Sequence, residues 1–511
     1  MSADWAERVS KAEEERDRYR RLYHEALERC RMLERGILGK KSERMPADDS
    51  QLSLQVLGTM LREFEAELED PPEPEAAEPQ QIAAHTRRKS TGRQVLPEHL
   101  PRVEIEVIPD EVQREGLDAF ERIGEEVAEV LEHRPSSMVV VVIRRPKFVR
   151  KDRERNVETT VLQSEPADLP IERGMAGPGL LADTIVRRWA DHLPLNRLEK
   201  IYEREGVHLA RSTVCGWHER LAELLRPLID AMWADAMASP YLCTDATGVL
   251  VQALEKCRHG NFWVVVAPEK HVLFRYSAKH DKEAVQRNLG TYEGYLVADA
   301  HAVYDHLYVG GKITEVACWA HTRRYFFKAM LSEPELARQG LVLIGQLFRH
   351  ERELADKPAK QRKKARQAKS KPVVEAFFRW CEQQMLVALD DTPLAKGLGY
   401  ALNQRVALTR FLDDGRLPLD NNISERELRR EAVGRKNWLF VGSDEAGEIN
   451  AAFVTLLASC QMHGLEPWSY LRDLLCILPR WPQSRILELA PAYWRESLEK
   501  QEAQRLLEGT S

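Results

Sequence analysis

Two aspartates stand in segments that otherwise read as buried strand. Asp245 lies in the run Leu-Cys-Thr-Asp-Ala-Thr-Gly-Val, and Asp299 closes the apolar run Tyr-Leu-Val-Ala-Asp. An ionised carboxylate in such surroundings is costly unless positive charge balances it. If the two strands share a sheet, the acids face each other, repel, and call for a divalent cation. Mg²⁺ takes oxygen ligands and keeps several waters, so two or three carboxylates plus phosphate oxygens suffice to hold it. A third acid, Glu425, sits in Pro-Leu-Asp-Asn-Asn-Ile-Ser-Glu-Arg-Glu-Leu. Alone it reads as a helix-start device, because Asn422 three residues earlier gives the capping-box spacing, and Glu427 is a rival for any chemical role. The set shifts the balance: two strand aspartates, then, after a long insertion, an acid at a helix start. Such a triad could hold two metal ions roughly 3.5–4 Å apart, one activating an attacking oxygen and one stabilising a leaving oxygen. No isolated Ser or Tyr motif suggests a covalent nucleophile.

The elements that must position these acids are legible around them. Residues 241–251, 262–267 and 272–276 read as three successive strands, 281–289 as a helix, 295–298 as a strand leading into Asp299, and 313–319 as a further strand. That is the strand and helix order of an RNase H-like sheet. Residues 322–414 are nearly all helical in pattern, a new helix begins after Pro418, and 451–478 is helical again.

Upstream, Trp5, Val9, Ala12, Tyr19, Tyr23, Ala26, Cys30, Leu33 and Ile37 follow alternating spacings of three and four. This is a coiled-coil seam, interrupted at Arg16, which needs a partner helix from another copy or from the protein's own body. A Glu-, Pro- and Ala-rich stretch that turns basic reads as a linker. Val103-Glu-Ile-Glu-Val and Met138–Ile143 mark a short-stranded β-rich region. Residues 195–205 form an amphipathic helix ending at Gly206, and a second helix opens at Arg211, Ser212 and Thr213 with Val214 and Trp217 facing inward. Helix, glycine turn, helix is the spacing of a helix-turn-helix, though helical bundles share it.

The fold class expected is therefore α/β plus α. Its parts are a coiled-coil helix (1–40), a linker (41–96), a β-rich module (97–170) and a helix-turn-helix region (171–235). An RNase H-like catalytic domain (236–450) with a helical insertion at about 325–415 follows, then a C-terminal helical region (451–511). A chain of 511 residues with 43% hydrophobic and 31% charged residues has ample apolar mass for several cores. No apolar run approaches the length of a membrane span, and the charged N-terminus is unlike a signal peptide. Eight scattered cysteines without a CxxC pair fit a reducing cytoplasm. The net charge of −6 hides local patches. Basic residues gather at 87–89, at 144–155, and most densely at 357–371, where Lys360, Arg362, Lys363, Lys364 and Arg366 could grip phosphates; a solvated helix face or linker is the plainer reading.

At these residues the sequence resembles the insertion sequence 66 (IS66) family of DDE transposases. The resemblance rests on Leu33-Glu-Arg-Gly-Ile-Leu-Gly-Lys-Lys-Ser-Glu-Arg, His192-Leu-Pro-Leu-Asn-Arg, Gly206-Val-His-Leu-Ala-Arg-Ser-Thr-Val, Cys318-Trp-Ala-His-Thr-Arg-Arg-Tyr-Phe, Pro418-Leu-Asp-Asn-Asn-Ile-Ser-Glu-Arg and Lys436-Asn-Trp-Leu-Phe-Val-Gly-Ser. It implies that Asp245, Asp299 and Glu425 are the catalytic, metal-binding triad, with two Mg²⁺ ions replaceable by Mn²⁺. It also places His321, Arg324 and Asn421 near the active site. The partners implied are DNA (terminal inverted repeats and target), a second copy of the chain, and accessory proteins of the same element. Two departures stand out. The family's cysteine-pair zinc module has no cysteine in this chain, so no structural zinc is expected. After Asp299 the chain reads Ala-His-Ala-Val-Tyr, where the family usually has an aromatic two places on. The alternatives are a non-catalytic dimeric DNA-binding regulator and a nuclease or junction resolvase on the same fold.

Overall fold

A computed structural model describes Leu96, Glu98 and residues 100–508, apart from 135–136, 151–160, 167–168, 173 and 255. The coiled-coil segment 1–40 and nearly all of the linker 41–96 lie outside the described residues. The described chain is a mixed α/β structure with two sheets and many helices, and it divides into two compact units. One comprises residues 317–420, the other residues 92–316 together with 421–511.

The larger unit begins with a sheet of β1 (Arg102–Glu106), β2 (Phe120–Arg134), β3 (Ser137–Arg150) and β4 (Leu162–Gln163), in the order β1-β3-β2 with β4 also on β3. Sequence patterning predicts short strands here, yet β2 and β3 span 15 and 14 residues. β3 is buried along most of its length, and the outer part of β2, where Ile123 and Val127 are exposed, is joined to its neighbours by charge pairs across strands. Arg144 on β3 pairs with Glu104 on β1 at 3.0 Å and Glu125 on β2 at 3.1 Å. Arg145 is buried, pairs with Glu126 at 2.7 Å and donates to the Ser164 carbonyl. These two arginines of the basic 144–155 stretch are thus engaged within the sheet.

Three helices follow: α1 (Pro178–Ile185), α2 (Leu195–Arg204) and α3 (Arg211–Met237). Gly206 has φ +83° in the turn after α2, a left-handed conformation that costs glycine little. Beyond it Val214 and Trp217 are buried as their spacing predicts.

The second sheet runs β7-β6-β5-β8-β9, from β5 (Tyr241–Val251), β6 (Arg258–Ala267), β7 (His271–Ser277), β8 (Gly294–Ala298) and β9 (Ile313–Ala317). β5, β6 and β7 are antiparallel neighbours, whereas β8 lies parallel to β5. Between β7 and β8 comes α4 (Lys282–Leu289), whose N-cap Asp281 accepts from the Ala284 amide. The strand expected to reach residue 319 stops at Ala317, because Trp319 already opens a helix.

That helix, α5 (Trp319–Ala329), starts the smaller unit, followed by α6 (Pro334–Glu353), α7 (Ala359–Ala365), α8 (Lys371–Met385) and α9 (Pro393–Asn403). Its core is aromatic: Trp319 meets Phe377, Phe378 and Phe411, all essentially inaccessible. The Trp319 indole donates to the Leu408 carbonyl at 2.9 Å, satisfying the one polar atom its burial would otherwise strand.

The chain then returns to the larger unit with α10 (Asn422–Trp438), β10 (Phe440–Val441), which pairs with the far end of β5, α11 (Asp444–Met462) and α12 (Pro467–Ile477). α11 covers the edge of β7: Thr455 Oγ1 accepts from the Phe274 amide at 2.8 Å and Ser459 Oγ from the Val272 amide at 3.1 Å. Hydroxyls on the helix thereby satisfy edge amides that would otherwise invite another strand. No helix of the described residues is long and apolar enough to cross a membrane.

Candidate active site

The two aspartates follow the paired ends of neighbouring strands. β5 pairs with β8 through Tyr241 and Tyr295, Leu242 and Leu296, and Cys243 and Val297. Carried two residues further, this register sets Asp245 opposite Asp299, on the same face as Cys243 and Val297. Both carboxylates are half-buried. Asp245 Oδ1 accepts from the Ala246 amide at 2.7 Å. Tyr304 senses both: burial first, then the charges of Asp299 and Asp245, push its phenol well above the usual range. A single buried tyrosine that responds to both acids means the two share one neighbourhood.

α10 supplies Glu425. The helix lies along β5 and is fastened to it at two points. At its start Asn421, fully buried, donates from Nδ2 to the Thr244 carbonyl at 2.8 Å. Near its end Arg435 donates to Thr247 Oγ1 at 3.0 Å and to the Gly248 carbonyl. Glu425 is four residues after Asn421, one turn or ~6 Å further along the same helix face. Glu425 is half-buried like the aspartates.

The capping-box reading of this segment is not what the structure contains. The N-cap is Asn421 rather than Asn422; it makes no side-chain capping bond, and its Nδ2 donates to the Thr244 carbonyl instead. Glu427, the rival acid, is buried and paired with Arg430 at 3.0 Å.

The donor set suits a hard divalent cation. Mg²⁺ needs only one or two carboxylates with water and phosphate oxygens, and Asp245 with Asp299 offers such a pair. Among the described residues no three His, Cys, Asp or Glu side chains already stand as a metal-holding group. The pair of aspartates fits the ion without a third ligand in place.

Other residues singled out by sequence divide into exposed and engaged. Arg211 and Ser212 are exposed at the start of α3 and Thr213 is half-buried; Arg211 also pairs with Glu199 at 3.1 Å. Lys360, Lys363 and Lys364 are exposed. Arg362 is half-buried and donates to the Ala355 carbonyl at 2.9 Å and to that of Gly415 at 3.3 Å. Arg366 is a correction. It is fully buried, forms a two-pronged pair with Glu351 at 2.6 and 2.8 Å, and donates to the carbonyls of Phe411, Asp414 and Leu417. It faces no solvent and can meet no phosphate. His321 is half-buried and Arg324 exposed, both on α5 of the smaller unit. Two residues that sequence reasoning left without a role, Tyr304 and His280, lie by the aspartates. The only early signal was their position just past strands.

Comparison with known proteins defines the class as transposase. A family model described as "Transposase IS66 family" matches residues 173–449, one described as "Transposase C of IS166 homeodomain" matches 26–105, and one described as "IS66 C-terminal element" matches 455–492. The chain belongs to the IS66 family of transposases. Proteins of Sinorhizobium fredii (strain NBRC 101917 / NGR234) are similar to it along nearly the whole length. "Uncharacterized protein y4qI" is 32% identical over 90% of this chain and 87% of its own, and "Uncharacterized protein y4hP" 28% identical over 91% and 88%.

Proposed function

We propose that the protein is a catalytically active DDE transposase with an RNase H-like core, cutting and joining DNA at the ends of its own element. The observation that carries this reading is the pairing of β5 with β8 up to Cys243 and Val297, two residues short of Asp245 and Asp299, beside a helix whose Asn421 grips the carbonyl next to Asp245. Asp245 and Asp299 would hold divalent metal, with Glu425 completing the set. Bound Mg²⁺ would supply Lewis-acid activation of water and of the leaving oxygen. The residues of the chain do the positioning. β5 and β8 would set two carboxylates at one level, Asn421 and Arg435 tie α10 to β5, and Tyr304 lies buried within reach of the charges of both acids. The order β7-β6-β5-β8-β9, with three antiparallel strands followed by a parallel one, supports the RNase H-like assignment.

DNA contacts come from elsewhere. Arg211, Ser212 and Thr213 open a helix suited to a groove, and Lys360, Lys363 and Lys364 offer exposed charge to the backbone. The match to a model named for a homeodomain supports a further DNA contact between residues 26 and 105. A second copy of the chain, paired through the N-terminal seam, would hold the two ends together, with accessory proteins of the element as further partners.

The test is cleavage and strand transfer by the purified chain on duplexes taken from the sequence flanking its gene, with Mg²⁺ or Mn²⁺. Asp245→Ala should bind those duplexes normally and cut none. Undiminished cutting by that variant ends the assignment.

A further inference from the structure

Past the ends of β7 and β8 two exposed imidazoles are held in fixed positions. His280 stacks on Trp263 with ring centroids 4.7 Å apart and planes 18° apart. Trp263 is almost wholly buried and donates from Nε1 to Ser277 Oγ at 2.7 Å, and that hydroxyl donates to the Lys279 carbonyl at 2.7 Å. The platform and the turn leading to His280 are thus tied to each other. His301 lies edge-on to His280, with centroids 4.9 Å apart. Its Nδ1 accepts from the Val303 amide at 3.2 Å, so the neutral ring carries its proton on Nε2 and offers it as a donor. Asp299, two residues before His301, acts electrostatically on His280, as His301 does.

Exposed side chains ordinarily keep their rotamer freedom, and fixing them costs entropy. Two adjacent imidazoles, each fixed by the protein and both beside one carboxylate of the candidate triad, are preorganised for a ligand. Imidazole N–H groups suit phosphate oxygens, and phosphate contacts set the register of a protein on DNA. Which phosphate follows from the sheet. Trp263 pairs with Ala246, so it occupies the opposite face from Asp245. His280, stacked on Trp263, meets His301 two residues past Asp299 and lies within reach of that acid's charge, which puts the pair at the rim of the site.

We propose that His280 and His301 form a phosphate grip that binds the DNA backbone beside the phosphate being cut and so positions the scissile strand. The inference rests on the transposase reading, and its test separates the two. Duplexes from the gene's flanks would carry a single neutral methylphosphonate at each linkage near the cut in turn. The wild-type protein should lose about tenfold in cleavage at one flanking linkage, the worth of a hydrogen bond to a charged group. His301→Ala should be about tenfold slower on ordinary DNA and show no further loss at that linkage. His301→Gln, which keeps an N–H donor, should recover most of the rate and of the sensitivity. His280→Asn tests the second ring with a smaller change to the stack. If both histidine variants stay as sensitive as wild type at every linkage, while Asp245→Asn cuts nothing, the grip is refuted and the transposase reading stands. If Asp245→Asn cuts normally, both fall.

Discussion

Asn421 Nδ2 donates to the Thr244 carbonyl at 2.8 Å, joining residues 177 positions apart in the chain. The bond ties the start of α10 to the strand residue just before Asp245, so the entry point of one acid's helix is set by the strand that bears another. Asn421→Ala leaves a buried carbonyl without this donor and should cost about 1–3 kcal/mol in chemical denaturation. Asn421→Asp should cost more, because a carboxylate cannot donate and repels both the carbonyl and Asp245. Both should lower cleavage more than end binding, read by comparing cleavage rates with gel-shift affinities. Equal losses in the two would mean that the bond only holds the fold together.

Arg366 offers a contrast within one basic stretch. Arg366→Ala removes a buried cation from Glu351 and three backbone carbonyls, and should destabilise the protein by about 3–5 kcal/mol. Lys363→Ala, at an exposed position, should change stability by less than about 0.5 kcal/mol. If Lys363 meets a phosphate, its removal should weaken DNA binding and reduce the salt slope of log K by about 0.9. Thermal melts and salt-dependent binding isotherms separate the two effects.

This contrast also marks how far sequence could reach. The strands around Asp245 and Asp299 were legible because each approaches its acid through a mostly apolar run that is buried, Leu242 and Cys243 before one and Leu296, Val297 and Ala298 before the other. Arg366 was not, since a basic run looks uniform in one dimension while packing turns one member inward. Asn421 was hidden by its neighbour: the spacing from Asn422 to Glu425 imitates a capping box, and only the pairing with Thr244 reveals which asparagine begins the helix. β2 was missed because glutamates alternate along it and its partners are charges on other strands. Register, the relation that joins Asp245 to Asp299, belongs to strand pairing and is invisible to any single segment.

Glu431 on α10 predicts a pH dependence. Burial, partly offset by the Asn450 amide and by Arg188, Arg435 and Arg430, raises its carboxyl from 4.5 to about 7. A carboxyl whose pKa is higher in the folded state favours folding while protonated. That contribution is complete below about pH 4.5 and is lost as pH rises through about 7. The loss is on the order of 3 kcal/mol. His218 works in the opposite direction: burial drives its pKa down to about 3, so stability falls as pH drops below 6.5 and the unfolded chain takes up the proton. Denaturation midpoints from pH 5 to 8 should show Glu431→Gln gaining on wild type as pH rises. Parallel curves would contradict the buried-acid account.

Glu425 and Glu427 make the sharpest pair, two acids two residues apart with opposite expectations. Glu425 is half-buried on the first turn of α10, one turn beyond the residue that touches the strand of Asp245. Glu427 is buried and held by Arg430 at 3.0 Å, with Arg426 at 3.5 Å. If Glu425 completes the metal set, Glu425→Gln forfeits several kcal/mol of transition-state stabilisation, and cleavage should fall by at least about a hundredfold with folding intact. Glu427→Gln should leave Arg430 without its charge partner, lower the denaturation midpoint, and slow cleavage only in proportion to the protein lost. The reverse pattern would move the third acid from position 425 to 427. It would also require α10 to turn about its axis, since residues two apart on a helix point to different sides.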